Sequence, residues 1–335
     1  MRIERDVPLA PRTTLGIGGA AKEFVRATSL EELRDALAAE QVLVIGGGSN
    51  LVVGDAGFAG RVVQVGLTDV AIAGEVVRVG AGVVWDDFVA EIVGAGRTGI
   101  ECLSGIPGLV GATPMQNVGA YGQEVADTIT CVRAMNRHTG EVAEFAPAAC
   151  HFAYRTSAFK GSTRWVITEV EFRLPRGAAS APIRYPELAK ALGIAEAGTA
   201  PLSHVRDTVI ALRRGKGMVV DAADPESKSA GSFFTNPIVD GAALAILDTR
   251  FGAVMPRWPQ RDGMTKLSAA WLIERAGFSK GYTAGRVGIS RKHALALVNR
   301  GGATAAELLA LAREIQARVR ETLGVHLEPE PVIVG

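Results

Sequence analysis

The chain has 335 residues, of which 48% are hydrophobic and 21% charged, and 36 Lys and Arg against 35 Asp and Glu leave a net charge of +1. Glycine is in excess at 40 residues, against a usual ~7%, but it follows no Gly-X-Y period and apolar residues are plentiful, which excludes collagen-like and disordered chains. The balanced charge argues against a protein built to bind nucleic acid, and no apolar run approaches the ~20 residues of a membrane span. The N-terminal segment lacks the apolar stretch of a signal peptide. Cys102, Cys131 and Cys150 are odd in number and have no CxxC spacing, which predicts free thiols in a reducing cytoplasm. His138, His151, His204, His293 and His326 show no metal-ligand spacing, so no metal is expected.

Along the chain, Ser29-Leu-Glu-Glu32 has capping-box spacing and opens an amphipathic helix through about Ala39. A short strand, Gln41–Ile45, runs into Gly46-Gly47-Gly48-Ser49-Asn50. More strands follow at Leu51–Val53, Arg61–Val65, Val70–Ala73 and Val76–Val79, then a helix at Trp85–Val93. Gly99–Gly122 is glycine-rich without a clear period and reads as an ordered loop system. Strands resume at Thr128–Met135 and Trp165–Leu174, and Pro175–Pro182 is the best candidate boundary. Beyond it, helices are expected at Ser203–Arg214, Ala242–Thr249, Ser268–Ala276 and Thr304–Leu323. The last opens on its own capping box, Thr304 to Glu307, and a strand-like tail covers Val325–Val334. The expected fold class is α+β in both halves.

Five motifs could carry chemistry. The glycine triplet after a strand suits backbone amides turned toward an anion. It has neither the Rossmann nor the P-loop pattern, and an ordinary tight turn explains it equally well. Ile106–Gly122 mixes glycines with Thr113, Gln116 and Asn117, neutral hydrogen-bonding side chains that suit a diphosphate or a flavin edge; a structural loop is the alternative. Arg155, in Tyr154-Arg-Thr-Ser-Ala-Phe-Lys160, offers a planar fork for a carboxylate, although a surface arginine is the commoner case. Ser232, between Gly231 and two phenylalanines, lacks the GxSxG elbow and any triad order. A chemical role for it would be proton donation, and a lone serine is more often a turn hydroxyl. Glu328 and Glu330, beside prolines in an apolar tail, are unusual there unless solvated.

These segments, with Thr14-Leu-Gly-Ile17, occur together in an order that resembles the UDP-N-acetylenolpyruvoylglucosamine reductase (MurB) family over nearly the whole chain. The resemblance implies an FAD-binding domain of the vanillyl-alcohol-oxidase/para-cresol-methylhydroxylase type, with two α+β subdomains, over residues 14–180. A substrate-binding domain would span 181–324, and a tail, 325–335, would pack back toward the flavin. The implied activity is NADPH-dependent, FAD-mediated reduction of UDP-N-acetylglucosamine enolpyruvate in peptidoglycan precursor synthesis, by a cytoplasmic monomer. The first histidine, His138, follows both glycine loops, which fits a non-covalent flavin.

By residue, the resemblance implies that Arg155 holds the substrate carboxylate, Ser232 donates a proton to the carbanionic carbon, and Glu330 assists at the carboxylate. Flavin contacts are implied at Gly46, Gly47, Gly48, Ser49, Asn50 and Leu51, and at Gly111, Ala112, Thr113, Gln116, Asn117, Gly119 and Ala120. Tyr154, Ile167 and Arg213 would complete them. Substrate contacts are implied at Tyr121, Tyr185, Lys216, Asn236 and His293, and Tyr185 places the chain in the tyrosine-containing branch of the family.

Overall fold

The structure, a computed structural model, describes residues 1–335 except for the side chain of Ala253. The chain forms two compact units, each assembled from separate segments. The first comprises Met1–Val7, Ala21–Gly48 and Phe58–Val219; the second comprises Pro8–Ala20, Ser49–Gly57 and Val220–Gly335.

The first unit holds two large sheets and, among the described residues, a small hairpin, Gly119–Ala120 with Gln123–Glu124. One has the order Ile3–Pro8, Ala20–Ala27, Phe58–Val65, Val42–Ile45, and its last two pairings are parallel. The helix Leu30–Leu37 makes the crossover; the Ser29 hydroxyl accepts from the Glu32 amide at 3.1 Å, and Leu33, Ala36 and Leu37 are buried. The other sheet is antiparallel, in the order Val142–Phe145, Ile129–Asn136, Trp165–Arg173, Val76–Gly80, Val70–Ala73. The helix Trp85–Gly94 covers it, and Trp85, Phe88 and Phe172 form a ring cluster with centroids 5.6–6.1 Å apart.

The division between the units falls at Val219, downstream of the Pro175–Pro182 break, for a packing reason. The helices Pro186–Leu192 and Leu202–Gly215 bury Leu188, Leu192, Val205 and Val209 with Cys102 and Ile183 in a satellite core of the first unit. A partner for an apolar helix face that lies so far back in the chain has no local signature. All three cysteines are free. No helix among the described residues is long and apolar enough to cross a membrane.

The second unit draws Leu15, Ile17 and Val52 into a core with Phe233, Phe234, Leu272 and the inner face of the helix Ala305–Leu323. The capping box is formed: Thr304 and Glu307 each accept the other's backbone amide. Two small antiparallel sheets flank this core. One joins Ile238–Val239, Thr265–Leu267 and Arg257–Pro259; the other joins Thr283–Ala284, Val287–Ile289 and Leu297–Asn299. The tail is a strand only at Val332–Val334, paired in parallel with Leu51–Val53. The expected longer strand is interrupted because Pro329 and Pro331 have no N–H to give to a ladder.

Candidate active site

In the first unit the strand Val42–Ile45 delivers the chain into Gly46–Gly48, where Gly48 takes φ +64°. The amides of Gly47 and Gly48 donate no hydrogen bond within the protein. A Cβ on Gly47 would stand 2.9 Å from the Gly108 Cα, so the two glycine loops touch backbone to backbone. Gln64 steadies the turn by donating to the Gly46 carbonyl at 3.2 Å. The second loop is pinned from beneath: the Trp85 amide donates to the Gly108 carbonyl at 3.0 Å, and the Gly111 amide to the Ala81 carbonyl at 2.9 Å.

Two residues expected on the cofactor have side chains that bond within the protein. Asn117 is buried, at φ +46°, and its amide donates to Glu124 at 2.7 Å and to the Ala153 carbonyl at 3.3 Å while accepting from the Ala126 amide at 3.2 Å. Thr113 donates to the Val110 carbonyl at 2.8 Å. These hydrogen bonds shape the loop, because a buried polar side chain must be satisfied locally when water is absent. Ile167 lies buried in the core of the antiparallel sheet.

A cationic and aromatic cluster lies in the same unit. The Tyr121 and Tyr185 rings meet edge to face with centroids 5.4 Å apart, and the Lys216 ammonium stands 5.4 Å from the Tyr121 ring while pairing with Glu187 at 2.6 Å. Burial pushes the Tyr121 phenol up to about 12 and raises Tyr185 as well, so both remain neutral donors at physiological pH. Arg213 donates to the Met218 carbonyl at 2.9 Å, and its Nε is buried without a partner. Burial draws this guanidinium down to about 10, against the opposing pull of Tyr121 and Asp86; it stays a cation at neutral pH. Arg155 donates to the Gly119 carbonyl at 3.1 Å, and its guanidinium lies 5.5 Å from the Tyr154 ring centre.

Tyr121 (φ +49°) and Arg155 (φ +52°) adopt the left-handed conformation that L side chains disfavour, a strain that accumulates at functional positions. No sequence signal announces it for Tyr or Arg. Sequence reasoning also missed Asp86. It accepts both arms of Arg206, at 2.6 and 3.0 Å, and the Gly105 amide at 2.6 Å. Burial pushes this carboxyl up, but Arg206 and the Gly105 amide outweigh it and hold the carboxyl below its ordinary value.

The serine motif lies in the second unit, held on both sides. Downstream, the Phe233 amide donates to the Leu295 carbonyl at 2.7 Å, and the Phe233 carbonyl accepts the Glu330 amide at 2.9 Å. The Thr235 amide donates to the Glu328 carbonyl at 3.0 Å, so Phe233–Thr235 runs antiparallel to Glu328–Glu330. This register sets Glu330 opposite Phe233, the residue that follows Ser232; Ser232 and Glu330 are both half-buried. The Asn50 amide donates to the Glu330 carbonyl at 3.2 Å, tying the tail to the Ser49–Leu51 segment. Asn236 accepts the Ala269 amide at 3.0 Å at the start of the helix Ala269–Arg275. His293 accepts the Leu295 amide at Nδ1, 3.1 Å away, which leaves Nε2 to carry the proton.

The donor set of the first unit fits a flavin dinucleotide. Two open amides in a glycine loop suit a diphosphate, and a buried, unsatisfied guanidinium nitrogen suits a polar ligand edge. Comparisons with known proteins agree. Residues 21–146 match the model of an FAD binding domain, and residues 224–334 match that of the UDP-N-acetylenolpyruvoylglucosamine reductase C-terminal domain. The UDP-N-acetylenolpyruvoylglucosamine reductase of Thermobifida fusca is 53% identical, covering 99% of this chain and 98% of the relative. That of Streptomyces avermitilis is 50% identical over 98% and 94%. The crystal structure of UDP-N-acetylenolpyruvylglucosamine reductase (MurB) from Thermus caldophilus superposes with a TM-score of 0.72 at 30% identity, covering 100% of both chains. The chain belongs to the UDP-N-acetylenolpyruvoylglucosamine reductase family.

Proposed function

We propose that this chain reduces the enolpyruvyl ether of UDP-N-acetylglucosamine to UDP-N-acetylmuramate, an oxidoreductase step of peptidoglycan precursor synthesis. NADPH is the reductant, and the working form is a cytoplasmic monomer. Non-covalently bound FAD would supply the hydride chemistry that links the nicotinamide to the terminal vinyl carbon. Everything else is asked of the protein.

Adding hydride to the vinyl carbon leaves an electron pair on the neighbouring carbon, spread into the carboxylate. Arg155 holds that carboxylate and stabilises its added charge. Ser232 gives its hydroxyl proton to the carbon, completing the reduction. A serine is a weak acid in water, so its service requires a strongly basic carbon and a pre-organised donor. Glu330 orients the carboxylate end. Tyr121, Tyr185 and Lys216 receive the nucleotide-sugar, with Lys216 released from Glu187 to meet a phosphate as a point charge. Asn236 and His293 are further substrate contacts. The open amides of Gly47 and Gly48 hold the flavin diphosphate, with Ser49, Asn50 and Leu51 continuing that loop. The observation that supports this reading beyond relatedness is the register of Phe233–Thr235 on Glu328–Glu330, in which the proposed glutamate pairs with Phe233, next in the chain to the proposed proton donor.

Rapid mixing tests it in two halves. NADPH should bleach the bound flavin, and the enolpyruvyl nucleotide should restore its colour without oxygen. A flavin that the nucleotide cannot reoxidise would refute the assignment.

A further inference from the structure

The Thr14-Leu-Gly-Ile motif has so far no chemical task, yet its hydroxyl lies at a meeting point within the second unit. Thr14 Oγ1 stands 2.6 Å from the Ser229 carbonyl oxygen and 3.4 Å from the Ser49 carbonyl oxygen. A threonine hydroxyl carries one proton, and the shorter contact takes it. Ser229 is buried, so its carbonyl has few alternatives to this donor. The Ser229 hydroxyl in turn accepts the Gly231 amide at 3.2 Å, closing a turn in which Gly231 takes φ +73°. The next residue is Ser232, whose own hydroxyl makes no hydrogen bond to another described residue. Downstream, Phe233 is already clamped between Leu295 and Glu330.

We infer that Thr14 is a positioning residue for proton transfer: through Ser229 and the Gly231 turn, it holds Ser232 in the orientation that delivers its proton. The inference rests on the reading of Ser232 as the donor. Thr14 acts through its hydrogen bond to the Ser229 carbonyl, so its influence falls on the half of the reaction that uses Ser232. A donor whose upstream anchor is released samples more orientations, and each proton transfer waits for the productive one. The chemistry of the reductant half has no use for Ser232 and is insensitive to this anchor.

The test compares Thr14→Val, which keeps the shape and removes the donor, with Thr14→Ser, which keeps the donor, in the flavin-loaded enzyme. For Thr14→Val, reoxidation of reduced flavin by the enolpyruvyl nucleotide should slow about tenfold, on the scale of leaving one buried carbonyl unsatisfied. Flavin content and the rate of reduction by NADPH should match wild type. The solvent deuterium isotope effect on reoxidation should rise, because proton delivery becomes the slower event. Thr14→Ser should restore both the rate and the isotope effect. Ser229→Ala, which removes the acceptor for Gly231, should reproduce the Thr14→Val pattern, and it carries the test if Thr14→Val folds poorly. Wild-type reoxidation in both Thr14→Val and Ser229→Ala overturns the inference. So does a loss of flavin with equal slowing of both halves, which would assign Thr14 to the Ser49 loop. A wild-type enzyme that never reduces the nucleotide would refute the proposed function itself, and that result is seen before any variant is made.

Discussion

The glycine loops of the first unit and the serine turn of the second solve opposite problems. Gly47 and Gly108 come so close that a side chain on Gly47 would collide, and what the loops offer a ligand is bare backbone. On either side of Ser232 the backbone is anchored, Gly231 on Ser229 and Phe233 on Leu295 and Glu330, and the serine offers a single hydroxyl. An anionic cofactor is held by many weak dipoles, and no one of them decides the outcome. Proton delivery depends on one group in one place, and its supports must be long-range and specific. The difference teaches that composition can reveal the first kind of site, whereas the second depends on register.

The largest effect should follow from removing the lone hydroxyl. Ser232→Ala is expected to cost about 3 kcal/mol, more than a hundredfold, in reoxidation by the enolpyruvyl nucleotide, with NADPH still bleaching the flavin at its usual rate. Equal rates in both halves, measured by rapid mixing, would remove Ser232 from the chemistry. Gly47→Ala should act in the complementary way. Its new Cβ meets the Gly108 backbone, which cannot yield as a flexible side chain would, and overpacking of this kind costs about 1–3 kcal/mol. Flavin affinity, followed by fluorescence quenching, should weaken about tenfold or more, while the fold of the second unit is unaffected. Tight flavin binding in this variant would show that the loop contact is dispensable.

Asp86 sharpens the contrast inside the first unit, because it supports the loop at Gly105 through charge. Its folded-state carboxyl lies below the ordinary value. The stability it adds is therefore fully present above the unfolded value of ~4 and is lost as pH falls through the lower folded value. Asp86→Asn should lower stability at pH 7 by about 2 kcal/mol, the scale of a hydrogen bond to a charged group. The two proteins should converge in acid, and parallel denaturant titrations across pH would expose a constant gap if the assignment were wrong. The smallest effect is expected at Thr304→Ala, which removes a helix cap far in sequence from either motif. It should cost about 1 kcal/mol of stability and leave both half-reactions at wild-type rates.

Much of this was legible in advance where local chemistry decides. The helix Ala305–Leu323 follows from its capping box and apolar spacing, and Trp85–Gly94 from its periodicity. The strand running into Gly46–Gly48 was readable because only glycine permits that approach. The pairing of Leu51–Val53 with Val332–Val334 was not, since parallel partners nearly the full chain apart leave no local trace. The side-chain partners of Asn117 were hidden for a related reason. Its type suited a ligand, but its burial commits it to Glu124, Ala153 and Ala126.

The sequence by itself determined the α+β class, the two glycine loops, the free cysteines, and a set of motifs specific enough to point to the family. Tertiary structure alone decided that residues 8–20 and 49–57 fold with the second unit, that the helices after Pro182 fold with the first, and that Thr14 reaches Ser229. The physical reason is one of range. Turns, caps and periodicity arise among neighbours a few residues apart, while burial and hydrogen-bond satisfaction are settled by whichever distant segment arrives to exclude water.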